Sequence, residues 1–178
     1  MNLSVTHSYL NHFPMHVSAG TGLLSMIFSP LVRLYTVTDI PALLPLIRKN
    51  ISHTFPDWRQ PTKPGCNISV EELDWLALQA ASQSFRPRLL PSGGAVDLIL
   101  VVDCIYHPSL LPALVETIDV LAITEKTAVV VVVELRSEDV IRIFLELWLR
   151  KSTWRIWRVG GELLKINYAM WIGWKVSK

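Results

Sequence analysis

The sequence predicts an α/β fold with a mostly parallel sheet, and three observations support this. Residues 98–102 and 128–133 form nearly continuous apolar runs, each closed by an acid, which is typical of central parallel strands buried on both faces. Segments with helical spacing alternate with strand-like segments along the chain, which favours right-handed crossovers. The tail alternates like two antiparallel strands around Gly160 and Gly161. An antiparallel hairpin is therefore expected at one edge of the sheet.

The composition limits the class of protein. A chain of 178 residues fits one domain with an adequate core. Its 51% hydrophobic residues against 18% charged residues are too apolar for a disordered chain. No apolar run approaches the roughly 20 residues that a membrane-spanning helix needs. The net charge of +2 is far from the basic excess of a dedicated nucleic-acid binder, so we expect neither a membrane nor a nucleic-acid partner.

The cysteines and the N-terminal residues bear on the compartment. Cys66 and Cys104 are too few for a disulfide framework or a zinc site, and both are expected to be buried thiols with no metal bound. The N-terminal residues lack the basic start and apolar core of a secretory signal. These features favour the cytoplasm, and the expected state is a monomer.

The first half of the chain contains the parts of a βαβ unit in order. Residues 20–22, Gly-Thr-Gly, precede the apolar stretch 23–28 and predict a tight turn that opens a helix. Residues 34–38 alternate β-branched and aromatic side chains up to Asp39, which predicts a strand. A helix over residues 41–50 follows, with a proline at its start and cations at its end.

The second half continues the alternation. Residues 52–67 are rich in proline and predict a surface loop, after which residues 68–75 predict a weak strand. The spacing over residues 108–122 is helical. The clearest helix covers residues 137–151, with a serine cap, acids in its first turn and cations in its last.

Candidate binding residues lie where the predicted strands end. In parallel α/β sheets ligands bind at the carboxyl ends of the strands. The Gly-Thr-Gly turn lacks the third glycine of a dinucleotide fingerprint, which Ser25 replaces, and the lysine of a phosphate loop. Asp39 follows at about 20 residues, the distance at which an acid reaches ribose hydroxyls in a βαβ unit. The alternative is a purely structural glycine turn and a helix-capping aspartate.

Further motifs give the chain a family resemblance. Asp-Cys-Ile-Tyr at 103–106 follows a central strand, and it occurs in order with Gly-Thr-Gly-Leu at 20–23, Val-Thr-Asp-Ile-Pro at 37–41, Leu-Asp-Trp at 73–75 and Glu-Leu-Arg-Ser-Glu-Asp-Val at 134–140. With these motifs the chain resembles the methyltransferase-like protein-lysine methyltransferases over residues 17–176, most closely the fungal elongation-factor branch. The resemblance implies a Rossmann-like seven-strand sheet, S-adenosylmethionine as cofactor, and a lysine of an elongation factor or similar cytosolic protein as substrate.

The resemblance also implies a role for eight residues. Six match the cofactor site. Gly20, Thr21 and Gly22 match its glycine loop, and Asp39 matches its ribose-binding acid. Trp75 matches the tryptophan that lines the adenine pocket, and Val102 matches the small residue beside the adenine. Asp103 and Tyr106 match the acid-x-x-aromatic motif that meets the substrate lysine.

The chemistry of methyl transfer agrees with the last two roles. The nucleophile must be a neutral amine, yet free lysine has a pKa of about 10.4 and is almost wholly protonated at pH 7. A site must therefore desolvate and position the amine. Tyr106 would hold the lysine chain by a cation–π contact and Asp103 would orient the amine, while the proton goes to water. The alternative for Tyr106 is plain core packing.

The chain departs from the family pattern near its start. The family's loop reads Glu-Leu-Gly-x-Gly-Thr-Gly, whereas His16 and Ser18 replace its acid and its first glycine. We expect residues 1–15 to be irregular and residues 16–178 to form a methyltransferase-like domain that lacks a proper first strand, with an incomplete or degenerate N-terminus.

Two alternatives to a protein-lysine methyltransferase remain open. One is a non-catalytic methyltransferase-fold binding module. The other, a small-molecule methyltransferase, would lack the combination of Asp-x-x-Tyr and Glu-Leu-Arg.

Overall fold

The computed structural model describes residues 13–164 and 167–177. Within them the strands are β1 (Pro14–Val17), β2 (Tyr35–Asp39), β3 (Ile68–Glu72), β4 (Leu98–Val102), β5 (Ala128–Glu134), β6 (Trp154–Arg158) and β7 (Tyr168–Lys175). The α-helices are α1 (Leu23–Phe28), α2 (Leu44–Thr54), α3 (Trp75–Ala80), α4 (Leu111–Leu121) and α5 (Glu138–Leu149).

All seven of these strands form one sheet in the order β3-β2-β1-β4-β5-β7-β6. Strands β1 to β5 pair in parallel, and β7 runs antiparallel between β5 and β6. The predicted α/β class, with a mostly parallel sheet and an antiparallel C-terminal hairpin, is confirmed. The carboxyl ends of β1 to β5 consequently meet at one edge.

Strand β1 corrects the expectation that a proper first strand is lacking. Its four residues are buried, and it pairs with β2 on one side and with β4 on the other. The backbone N–H of Phe13 donates to the Asp97 carboxylate at 2.8 Å, which fixes the entry into the strand. Pro14 and Met15 therefore belong to the sheet, whereas residues 1–12 of the predicted irregular segment lie outside the described residues.

Helices pack on both faces of the sheet. On one face α3, α4 and α5 cover a core that includes Ile99, Val101, Val129 and Val131, while α1 and α2 pack over Tyr35 and Val37 on the other. The alternate residues of β4, which are Leu98, Leu100 and Val102, are only partly buried. The expectation that the central strands are buried on both faces therefore holds fully for one face only.

Two local predictions were wrong. The predicted strand over residues 68–75 ends at Glu72, and Trp75 begins α3, because the Asp74 carboxylate caps this helix by accepting from the N–H groups of Leu76 and Ala77. Cys66 is exposed, since it lies in the proline-rich loop before β3, whereas Cys104 is buried as expected.

Among the described residues, no helix has the length and apolar character needed to cross a membrane. The same part of the chain contains no group of three or more His, Cys, Asp and Glu side chains that could hold a metal ion.

Candidate active site

A crevice of about 320 Å³ opens at the carboxyl ends of the parallel strands. Its walls come from the segments that follow β1, β2, β3 and β4, and consist of Ser18, Asp39, Ile40, Leu43, Leu73, Asp74, Trp75, Leu76, Tyr106 and Leu110. Three of the eight residues that the sequence nominates, Asp39, Trp75 and Tyr106, thus line one space. Ligands of parallel α/β sheets bind at this edge of the sheet.

The glycine turn after β1 has a left-handed backbone. The φ angles are 60° at Ser18, 57° at Gly20 and 79° at Gly22, a region that glycine enters without strain. A Cβ on Gly22 would lie 3.0 Å from the Ile47 Cγ2 of α2, whereas a Cβ on Gly20 would meet nothing within 4 Å. Gly22 therefore allows α1 and α2 to approach closely, and Gly20 exposes its backbone to open space.

Asp39 connects this turn to the crevice. It is the last residue of β2 and is 5% exposed. One carboxylate oxygen accepts from the Gly20 N–H at 2.8 Å, and the other accepts from the Ile40 N–H at 2.8 Å. Each oxygen has a second lone pair, so the carboxylate can hold the turn and still accept from a ligand. Its contacts are with the turn and not with a helix cap.

Trp75 forms part of an apolar wall. Asp74 caps α3 through its Oδ1, at 2.9 Å from the Leu76 nitrogen and 3.1 Å from the Ala77 nitrogen. This cap fixes the start of the helix and with it the buried indole of Trp75, which packs in the same core cluster as Leu73 and Leu78. The wall can cover a flat, apolar ring system.

Asp103 and Tyr106 differ in their settings. Asp103 follows β4 with a φ of 51°, and its N–H donates to the Val132 carbonyl at 2.9 Å. Its Oδ2 accepts from Arg136 Nη2 at 3.2 Å. Tyr106 is 63% exposed beside the crevice. The alternative that Tyr106 is a core residue is therefore wrong.

Asp39 ends β2 and Asp103 follows β4, so the two acids lie at the same edge of the sheet, where the Cys104 thiol is buried. Burial raises the pKa of Cys104 to about 12, and the negative charges of Asp103 and Asp39 add to the rise. Both carboxylates therefore act on the same buried sulfur. The thiol stays protonated at neutral pH and is not a nucleophile.

The remaining nominated residues lie outside the crevice lining as far as the described residues show. Val102 is partly buried in β4, opposite Val132 of β5. Thr21 is exposed, and its carbonyl accepts from the Asn50 side chain at 2.9 Å. Gly20 is linked to the crevice by its backbone N–H, which donates to the Asp39 carboxylate.

The structure separates the two positions that depart from the family's loop. Ser18 lines the crevice, whereas His16 lies in β1 at 4% exposure, paired with Val37 and Leu100 on the neighbouring strands. Neither ring nitrogen of His16 has a hydrogen-bond partner, and burial lowers its pKa to about 4. His16 is thus a neutral residue of the sheet.

Sequence reasoning missed several contributors. Ile40, Leu43, Leu76 and Leu110 line the crevice, but apolar residues after strands carry no distinctive signal. Arg136 contacts Asp103, and here a signal was present, since the Glu-Leu-Arg motif begins at the last residue of β5 and β5 neighbours β4.

The fold is that of Rossmann-like methyltransferases. It is similar to an O-methyltransferase family protein from Burkholderia thailandensis, with a TM-score of 0.62 and 14% identity over 93% of this chain and 51% of that one. It is also similar to precorrin-6y C5,15-methyltransferase from Geobacter metallireducens, with a TM-score of 0.59 and 14% identity over 95% of this chain and 82% of that one.

Sequence comparison gives the family within this fold. A family model described as lysine methyltransferase matches residues 11–149, so the chain belongs to the lysine methyltransferase family. Ribosomal lysine N-methyltransferase 5 of Lachancea thermotolerans is 26% identical over 75% of this chain and 46% of its own length. Protein N-lysine methyltransferase METTL21A of Danio rerio is 30% identical over 78% of this chain and 56% of its own. The chain spans about half the length of these curated relatives.

Family membership implies S-adenosylmethionine as the cofactor, and the residues present fit this molecule. The open backbone at Gly20 admits a close approach, and the buried Asp39 carboxylate retains lone pairs for hydroxyl groups. The apolar wall around Trp75 and Leu73 suits an aromatic base.

Proposed function

We propose that this chain is an S-adenosylmethionine-dependent protein-lysine N-methyltransferase. The observation that carries the proposal is the crevice that joins the Asp39 and Trp75 walls to Tyr106, with Asp103 following β4 at the same edge of the sheet. A cofactor and a lysine side chain can therefore meet between the carboxyl ends of neighbouring strands.

Six residues would hold the cofactor. Asp39 accepts hydrogen bonds from the ribose hydroxyls, and Trp75 covers one side of the adenine. The turn at Gly20, Thr21 and Gly22 brings the backbone close to the rest of the molecule, and Val102 limits the space beside the base. The geometry of Asp39 and Trp75 supports these roles most directly, since both line the crevice.

Two residues would act on the lysine. The bound cofactor supplies an electrophilic methyl group for in-line displacement. Tyr106, exposed beside the crevice, holds the aliphatic chain and the approaching cation against its ring. Asp103 orients the amine, whose proton leaves to water before the nitrogen attacks. Such positioning supports catalysis by holding the reacting atoms close and aligned.

The proposed target is an elongation factor or a similar cytosolic protein of translation. The names of the relatives support a protein lysine as acceptor, since they describe a ribosomal lysine and a protein N-lysine methyltransferase. We further propose that the chain acts as a cytoplasmic monomer, without a nucleic-acid or membrane partner.

The experiment is transfer of labelled methyl from S-adenosylmethionine to three acceptors: purified elongation factors, salt-washed ribosomes, and whole cell extract. Labelling of elongation factor supports the full proposal, and labelling of ribosomal or other protein alone corrects the target. If cofactor binds but no protein is labelled, the function is wrong and the non-catalytic binding module replaces it.

A further inference from the structure

A chain of three charged side chains lies at the ends of β4 and β5, next to the crevice. Arg136 Nη2 lies 3.2 Å from Asp103 Oδ2, and the same guanidinium binds Glu134, with its Nε 2.7 Å from Glu134 Oε2. The proposed function uses Asp103 but gives no role to Arg136.

Arg136 is held at the end of β5 by Glu134 as well as by Asp103. Its backbone N–H donates to the Glu134 carbonyl at 2.8 Å, and its guanidinium binds the Glu134 carboxylate through both Nε and Nη2. These bonds raise the pKa of Arg136, chiefly through Glu134 and then through Asp103. The guanidinium is therefore a fixed positive charge beside Asp103.

Arg136 engages only one oxygen of Asp103. Among the described residues, Oδ2 accepts from Arg136 and no hydrogen bond reaches Oδ1. A guanidinium on Oδ2 restricts rotation of the carboxylate, which leaves Oδ1 as the acceptor for an incoming amine.

A lone carboxylate would work against methyl transfer. An opposite charge within about 4–6 Å favours the charged form of an amine, and a like charge disfavours it. Asp103 alone would therefore stabilise the ammonium form, which cannot attack. A cation fixed on Asp103 offsets this effect and leaves the carboxylate its orienting role.

We propose that Arg136 is a positioning residue that holds the Asp103 carboxylate and lowers the pKa of the target lysine. The proposal rests on the lysine-methyltransferase function above. Other ionisable groups close to Asp103 and Arg136, on the same and adjoining elements, are Glu134, Tyr106, His107, Cys104, Tyr168 and, across Cys104, Asp39. Among the described residues, Arg136 forms ion pairs with two carboxylates, Asp103 and Glu134, and it is the cation that binds Asp103.

The test compares three variants in single-turnover methyl transfer to cell-extract proteins at saturating cofactor. Arg136→Gln removes the charge and Arg136→Lys keeps it. Arg142→Gln is the matched control, since Arg142 also bridges two carboxylates, Asp139 and Glu146, and is 60% exposed against 65% for Arg136. Rates are measured from about pH 6.5 to 9.5, below the range in which a lysine at 136 would lose its charge.

The proposal predicts a change in the pH profile. Arg136→Gln should move the profile upward by about half a unit to one unit, so that transfer falls about three- to tenfold at pH 7 and the deficit narrows toward pH 9.5, as the pH approaches the pKa of the target lysine. The shift should shrink in high salt, because both side chains are solvent-exposed. Arg136→Lys and Arg142→Gln should keep the parent profile, and calorimetric binding of S-adenosylmethionine should be unchanged in all three.

Four outcomes would overturn the proposal. A loss by Arg136→Gln that is equal at every pH would show a merely structural role, as would equal losses in Arg136→Lys and Arg136→Gln. A parent chain that binds cofactor but transfers no methyl group would overturn the proposed function and this inference together. A parent that is active with an unshifted Arg136→Gln profile would overturn this inference alone.

Discussion

At the scale of single residues, Asp39 combines a structural and a binding position in one carboxylate. Its two oxygens fix the Gly20 and Ile40 N–H groups while its side chain lines the crevice. From the sequence, the ribose-binding acid and the structural acid were competing interpretations. The structure shows the hydrogen bonds of a structural residue at the position proposed for a binding residue, so the two interpretations are compatible.

The first prediction concerns Asp39→Ala. Loss of the carboxylate removes charge-assisted bonds of about 1.5–3 kcal/mol each to the ribose, so S-adenosylmethionine should bind at least tenfold more weakly. Two backbone N–H groups also lose their acceptor, so the free energy of unfolding should fall by about 1–3 kcal/mol. Calorimetric titration and urea unfolding measure the two effects. Unchanged affinity in a folded variant would refute the assignment.

Ser18 supports a second prediction. Its φ of 60° is left-handed, a conformation that costs a residue with a Cβ about 1–2 kcal/mol, and its side chain lies at the crevice. Ser18→Gly should raise the free energy of unfolding by about 1 kcal/mol and tighten cofactor binding. Ser18→Ala is the matched control because it removes the hydroxyl and keeps the strain. Equal stability of the two variants would contradict the explanation.

At the scale of elements, the helices and strands with long sequence patterns were predicted, whereas two short ones, β1 and α3, were not. The apolar runs of β4 and β5 and the amphipathic α5, with acids in its first turn, were all predicted from sequence, although the Ser137 side chain makes no cap hydrogen bond. Strand β1 was not, because four residues that include a proline and a histidine carry no strand pattern of their own. Its conformation is imposed by pairing with β2 and β4. Trp75 was misplaced for a related reason, since one capping aspartate decides where α3 begins.

Strand β1 gives a prediction about acid stability through His16. Its pKa is about 4 in the folded chain, below the ordinary 6.5. Between these two pH values the imidazole is protonated in the unfolded chain and neutral in the folded chain. Stability should be complete above about pH 6.5 and should fall by about 2–3 kcal/mol between pH 6.5 and 4.5. Three carboxyl groups also have lowered pKa values, those of Glu71, Glu116 and Asp119. The stability that they contribute is lost only below the ordinary carboxyl pKa range.

Urea unfolding of His16→Leu tests this assignment. The variant should be at least as stable as the parent at pH 7, because it removes two unpartnered ring nitrogens, and its stability should change little down to pH 4.5. The exposed His53 offers a control, since His53→Gln should keep the parent's pH dependence. If the free energy of unfolding of His16→Leu fell with pH as steeply as that of the parent, the acid sensitivity would arise from a group other than His16.

At the scale of the whole molecule, the parallel sheet brings together residues that are far apart in sequence. Ser18, Asp39, Trp75 and Tyr106 lie at or after the carboxyl ends of four different strands and line one crevice. The alternation of strands and helices predicted this edge from sequence, and the resemblance supplied the chemistry. The Glu-Leu-Arg motif beside β4 was a signal for the contact between Arg136 and Asp103, but the contact itself was missed, because it depends on the side-chain positions of two loops after adjacent strands.

The most direct test of the lysine-methyltransferase function is mass spectrometry of proteins treated with this chain and S-adenosylmethionine. Methyl groups are expected on lysine side chains with the parent chain. Asp103→Ala and Tyr106→Ala should abolish them while calorimetry shows nearly unchanged cofactor binding. Methylated lysine that persists in both variants would contradict the proposed roles. A parent chain that binds the cofactor and methylates no lysine would contradict the function itself.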